Sequence, residues 1–295
     1  MNSQKSIEVR SSNFTLVLNS SNAINSGGYY NSFQYNFING GFQVLNDSEI
    51  CLTQLTIPYS WSNVNSIFYN NASFQYRWIV GSTPTTFTIN LPTGFYSLTQ
   101  INQYLQSQMI ANGTYLIDSG GNFVYYISIT SNPTYYTNQI VCFPVPTSLP
   151  SGYTQPSGFA GYPSIASTPQ LVILNNNFGS LIGYTDGSYP PVVQSTSYST
   201  LGNTLPNGSP VNSVIVRCSL VFNKVVNPTD IIDSFPISGS FGSNLNYIPN
   251  FEKMVKIKKG TYSSLVISLF DQNLNPLPSI DPNVLINLLI RMPDI

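Results

Sequence analysis

Apolar and polar side chains alternate with a period of two along most of this chain, which is the pattern of a half-buried β-strand. Phe14, Leu16 and Leu18 share one face, as do Phe33, Tyr35 and Phe37. Residues 49–57 are apolar on both faces near their start and read as an interior strand. Val214, Val216, Cys218, Leu220 and Phe222 give five successive inward positions. Leu265, Ile267 and Leu269 give three more, and Val284, Ile286, Leu288 and Ile290 give four. Turn residues separate these runs at Ser26-Gly-Gly28, Asn39-Gly-Gly41, Asn227-Pro228 and Asp271-Gln-Asn-Leu-Asn-Pro276.

The flanks of the chain thus supply eight strands, near 12–19, 31–38, 49–58, 213–223, 230–235, 253–259, 263–270 and 284–291. Eight antiparallel strands with uneven connections suit two facing sheets in jelly-roll order. An immunoglobulin-like sandwich gives the same periodicity, because strand number alone does not fix topology.

The middle of the chain changes character. Phe74, Tyr76, Trp78 and Val80 form an aromatic strand, followed by another at 85–89. Ser97-Leu-Thr-Gln100 has the spacing of a capping box, and Leu98, Ile101, Leu105 and Met109 then share a helical face. Asn112-Gly113 is the stop. Strands follow at 114–117 and 123–130 around the turn Asp118-Ser-Gly-Gly-Asn122, then at 135–143 and 171–174. Residues 144–163 and 189–210 are rich in proline, glycine and serine and read as surface loops. The fold class is therefore all-β: a single jelly-roll sandwich formed by 1–60 and 206–295, with an inserted, mainly-β outer domain at 61–205 that contains one helix.

Composition narrows the function. Charged residues make up 7% of the 295 positions against about 25% in an average chain. Apolar content is 42%, so the chain still folds around a core. A net charge of −1 argues against coating nucleic acid. Histidine is absent, which removes Ser-His-Asp and Cys-His sites, histidine-ligated metals and the commonest near-neutral base. Cys51, Cys142 and Cys218 are odd in number and far apart, and they read as small buried hydrophobes in a reducing compartment. The first ten residues carry no apolar leader-like run, and no stretch approaches the length of a membrane span.

Candidate chemistry is sparse. Asp271-Gln-Asn273-Leu-Asn275 begins like a calcium loop, but position twelve is Pro282 and a hairpin turn explains the segment better. Asp230 and Asp233 are the closest acidic pair and are expected at a solvated edge. Ser238-Gly-Ser-Phe-Gly242 lacks the lysine of a phosphate loop. Lys253, Lys256, Lys258 and Lys259 form the one basic cluster, with Val255 and Ile257 on the opposite face. It is either an edge strand guarded by lysine or a face for an acidic partner or the genome. No catalytic residue, metal ligand or cofactor site is expected.

Three segments carry a family resemblance. Thr86-Phe-Thr-Ile-Asn-Leu-Pro-Thr-Gly-Phe-Tyr-Ser-Leu-Thr-Gln-Ile-Asn-Gln-Tyr-Leu105 resembles a strand, turn and helix of virophage and Polinton-type penton (vertex minor capsid) proteins. Asn177-Phe-Gly-Ser-Leu-Ile-Gly-Tyr184 is similar to a second recurring piece. The series Ile215-Val-Arg-Cys-Ser-Leu220, Asp230-Ile-Ile-Asp-Ser-Phe235 and Leu265-Val-Ile-Ser-Leu-Phe-Asp-Gln-Asn273 fits the same order. The resemblance implies a non-enzymatic structural protein of the virion, assembled in the host cell. Its copies would form homopentamers at five-fold vertices beside a major capsid protein, with an outward domain that could meet a host receptor or glycan. The competing reading is a carbohydrate-binding or adhesin-like β module, which rests on Trp61, Trp78 and the tyrosines of the middle region.

Overall fold

The computed structural model describes residues 11–38 and 41–293. The leader reading at 1–10 and most of the Asn39-Gly-Gly41 turn lie outside them. The chain divides into a base, Met1–Trp61 with Val211–Ile295, and an insertion, Ser62–Pro210.

Eight principal strands build the base: β1 (Ser11–Asn19), β2 (Tyr29–Asn36), β3 (Glu49–Pro58), β4 (Ser213–Cys218), β5 (Ile231–Pro236), β6 (Asn244–Tyr247), β7 (Ser264–Asp271) and β8 (Leu285–Pro293). One sheet runs β1-β8-β3-β6 and the other β5-β4-β7-β2, all antiparallel. Each sheet interleaves early and late strands, which is jelly-roll order and not the immunoglobulin arrangement. The insertion leaves the chain between β3 and β4. Strict alternation places Val214, Val216, Cys218, Leu265, Ile267, Leu269, Ile286, Leu288 and Ile290 in the core at 0–1% exposure.

Two expected strands differ. The run at 213–223 ends at Cys218, because the Ser219 amide turns to the Val266 carbonyl and Phe222 is 42% exposed. The segment 253–259 is not a principal strand: Val255–Lys256 pairs with Glu49 and Ile50, and Ile257 makes a single antiparallel bridge to Val221. Its place is taken by β6, whose sequence Asn-Leu-Asn-Tyr is too short to show a period. The turn at Asp271 is a tight antiparallel reversal, as expected: Phe270 bridges Pro276 and the Leu277 amide donates to the Leu269 carbonyl, before the chain crosses to β8 in the other sheet.

In the insertion, Ser73–Val80 pairs with Thr83–Asn90 and with Gln170–Ile173, which also pairs with Gly187–Tyr189. A second sheet joins Ile127–Asn132, Thr137–Cys142 and Tyr198–Leu201. That last strand lies within the stretch expected to be loop. The run at 123–130 is broken, with Phe123–Val124 pairing Leu116–Ile117 separately. Helix α1 (Leu98–Ala111) is capped as its sequence requires, with Ser97 accepting from the Gln100 amide and Gln100 Oε1 accepting from the Ser97 amide. Its Ile101, Leu105 and Met109 are buried, and Gly113 follows at φ +64°.

A second, short helix, α2 (Phe178–Ile182), was not expected. Five residues give no helical period, but the tertiary packing explains each position. Phe178 stacks on Phe74 at 4.3 Å and 9°. A Cβ on Gly179 would lie 2.3 Å from the Tyr184 carbonyl oxygen, so only glycine fits. Gly183 ends the helix at φ +83°.

Gly179→Ala therefore forces backbone to move and should cost about 1–3 kcal/mol. Leu105→Ala, which empties a fully buried site, should cost about 2–5 kcal/mol. Thermal unfolding followed by calorimetry checks both, and an unchanged melting temperature for Gly179→Ala would contradict the close approach.

Candidate functional site

Two ion pairs of the base lie at β5. A bulge in β5 at Ile232, opposite Val216 and Arg217, shifts its register against β4. Arg217 makes a bidentate pair with Asp230, 2.8 Å through both Nε and Nη2, and its guanidinium lies 4.7 Å from the Phe270 ring centre. The same irregularity turns two consecutive residues, Ile232 and Asp233, into the interior.

Asp233 is thus not at a solvated edge. Its side chain is 4% exposed and is satisfied by three donors. Lys253 Nζ donates to Oδ1 at 2.6 Å, the Ser234 amide to Oδ1 at 2.9 Å, and the Tyr247 hydroxyl to Oδ2 at 2.9 Å. Tyr247 stacks on Phe235 at 4.6 Å, so the hub ties β5 to β6 across the sandwich. The hydrogen bond that Lys253 donates to Asp233 holds the Lys253 pKa above its ordinary value. Asp230 and Asp233 each have their own cation and do not form an acid–base couple.

The four lysines are dispersed. Lys253 is turned inward to Asp233, and Lys256 lies 3.3 Å from both Asp47 and Glu49. Lys258 and Lys259 are exposed, while Ile257 is buried beneath them as the alternation requires. An open cavity of about 560 Å³ adjoins Lys256, walled by Phe222, Lys224 and Met254. At the calcium-like loop, the amides of Asn273 and Asn275 both donate to Asp271 Oδ1 at 2.8 Å, and Asn275 Nδ2 donates to Oδ2. The carboxylate is consumed by the turn itself.

The insertion is organised differently. Ser62–Pro210 contains three charged side chains, Arg77, Asp118 and Asp186. Hydrogen bonds from Asn122 and Gly120 hold the Asp118 carboxyl below its usual pKa, in the turn read from the sequence. Elsewhere neutral groups satisfy one another. The Tyr184 hydroxyl accepts from the Ile140 amide at 2.9 Å and faces the carbonyls of Thr200 at 2.9 Å and Asn138 at 3.1 Å. Asn138 donates to the Ile182 carbonyl, and Trp78 Nε1 to the Gly161 carbonyl. Asn63, 1% exposed, donates to the Tyr96 carbonyl and accepts from its amide, fixing the turn that leads into α1.

Burial pushes the Tyr126 hydroxyl and the Cys142 and Cys218 thiols up to about 12, and Cys51 and Tyr184 upward as well. These thiols stay protonated at neutral pH and lack the thiolate a nucleophile needs. Trp61 and Trp78 are 1% and 0% exposed, so neither offers a ring to a sugar. Among the described residues no helix is long and apolar enough to cross a membrane. Among the described residues the surface of the insertion presents hydroxyl, amide and aromatic groups and scattered aliphatic side chains such as Ile67, Val192 and Leu205, with almost no ions.

The fold thus places the chain among all-β proteins built on a single jelly roll with a large insertion. No family model matches the sequence, and no curated protein is similar to it. Among solved structures, the chain is similar to the mavirus penton protein, with 10% identity over 97% of this chain and all of that one, at a TM-score of 0.41. It is also similar to a chain of the Sputnik virophage solved by cryo-EM, with 12% identity over 96% and 97% of the two chains and a TM-score of 0.40.

Removing one partner of the Asp233 hub has unequal consequences. Lys253→Met leaves a buried carboxylate without its cation and should cost about 2–4 kcal/mol. Asp233→Asn leaves only a half-exposed ammonium and should cost less. Because the folded pKa of Lys253 is raised, its contribution is complete below its ordinary value of 10.5 and is lost as pH rises through the higher folded value. Urea midpoints of the wild type and Lys253→Met should therefore converge above that pH; a constant gap up to pH 12 would contradict the linkage.

Proposed function

We propose that this chain is a structural protein of an icosahedral virus shell, in which five copies close each five-fold vertex. Its partners are identical copies and the major capsid protein around them, and assembly takes place inside the infected cell. The insertion faces the exterior of the particle. The observation that carries the reading is the distribution of charge: an almost ion-free insertion, and a base whose buried Asp233 is paired with Lys253 and whose buried Asp271 is satisfied by amides of its own turn. Burying a polar surface costs several kcal/mol for each unpaired ion, whereas hydroxyls and amides can be re-paired across an interface. Such surfaces suit permanent contacts. A jelly roll also supplies rigid sheet edges and loop ends for the head-to-tail contacts that a closed ring requires. The ordered segments at 86–105, 177–184 and 215–273 that resemble penton proteins point the same way.

Native mass spectrometry of the purified chain, or of chain released from particles, should give five times 32.5 kDa. Interfaces held by neutral groups are weakly screened, so the ring should persist between about 50 mM and 1 M salt. A stable monomer at micromolar concentration in the presence of the major capsid protein would overturn the reading, and so would dissociation by salt alone.

A further inference from the structure

We propose that the insertion also carries a binding site for a single neutral sugar ring. The site is a pocket of about 280 Å³ whose walls include Phe68, Tyr69, Asn71, Asn177, Ser180 and Asn207. This volume is at the small end of ligand pockets and suits one ring, not a peptide or a nucleotide. No carboxylate, ammonium or guanidinium lines it. A phosphate, a carboxylate or a cationic ligand would lose its water there with nothing to replace it. A sugar needs the opposite set of groups: an apolar face for its C–H bonds and several neutral donors and acceptors for its hydroxyls.

Both are present on a rigid frame. Asn71, 3% exposed, accepts from the Asn65 amide and donates to the Asn63 carbonyl, which fixes the loop bearing Phe68. Asn177 Nδ2 donates to the Tyr69 carbonyl at 2.7 Å, and the Asn177 amide donates to the Asn70 carbonyl at 2.9 Å. The Asn207 amide donates to the Ser180 carbonyl at 2.8 Å and so ties the third wall to α2. These bonds consume both ends of the Asn71 carboxamide, Asn177 Nδ2 and backbone groups. Among the described residues they leave Asn177 Oδ1, the Ser180 hydroxyl and the Asn207 carboxamide to meet a ligand. Phe68, 41% exposed, supplies the apolar wall. The site does not depend on the shell reading, since it lies wholly within one chain.

A single ring bound this way should have a dissociation constant on the order of millimolar. The test is saturation-transfer NMR and titration calorimetry on the full chain, using methyl glycosides of galactose, glucose, N-acetylgalactosamine and N-acetylglucosamine, with sialyllactose as the charged comparison. At least one neutral glycoside should bind more tightly than sialyllactose. Phe68→Ala and Asn207→Ala, both at exposed positions, should weaken that binding tenfold or more with an unchanged melting temperature. Ile165→Ala, at an exposed position outside the pocket, should leave it unchanged. Absence of binding by all four glycosides, equal binding by the pocket variants, or preference for the acidic sugar would each overturn the proposal. Should a pocket variant unfold, Ser180→Ala gives the same reading with a smaller volume change.

Discussion

The insertion must satisfy its buried polar groups without ions, and much of its architecture follows from that constraint. A buried amide or hydroxyl left unpaired costs about 1–3 kcal/mol, and three charged residues cannot serve an entire domain. The chain answers with neutral hubs. Tyr184 meets an amide and two carbonyls with one hydroxyl, Asn63 and Asn71 splice neighbouring loops, and Trp78 donates to a loop carbonyl. Each hub sits where irregular backbone meets a sheet, the place where peptide groups lack ladder partners. The long loops are thereby held without disulfides, with Cys142 buried as a plain apolar side chain.

The base follows a different rule. Its sandwich is held by period-two burial, and two of its ion pairs, Arg217–Asp230 and Lys253–Asp233, lie at β5. There the Asp233–Lys253–Tyr247 hub replaces a stretch of ordinary core. Its acid is almost fully buried and its lysine half-exposed, so the hub anchors a strand end while the ammonium keeps contact with water. Among the described residues the base keeps exposed lysines such as Lys258 and Lys259, whereas the insertion contributes almost no ions to its surface. Both the proposed ring and the proposed sugar pocket draw on this same property.

Long regular elements were legible before any coordinates. Residues 264–271 and 285–293 have apolar alternation sustained over enough residues to fix both type and face, and 49–58 is legible as a strand apolar on both faces near its start. Helix α1 announced itself through Ser97 and Gln100 as well as its stripe. Short elements were not legible. β6 offers two inward side chains, α2 spans barely more than one turn, and Tyr198–Leu201 hides within a proline- and serine-rich stretch. The lysine run misled for a related reason: its alternation is real, but hydrogen bonding to β3 is limited to two residues. Of the candidate site, the bland reading of the Asp271 loop could be made from Pro282, whereas nothing adjacent in sequence linked Asp233 to Tyr247 and Lys253.

By itself, the amino-acid order determined the class of fold, the strands with several inward positions, the capped helix and the scarcity of ions. Those properties are written in local spacing and composition, which need no knowledge of distant contacts. Tertiary structure decided the interleaved strand order, the inward turn of Asp233 at a bulge, and the need for glycine beside the Tyr184 carbonyl. It also decided the gathering of Phe68, Asn177 and Asn207 around one pocket. These depend on residues separated by tens to hundreds of positions. Their approach is set by sheet pairing and packing, and local pattern holds no record of it.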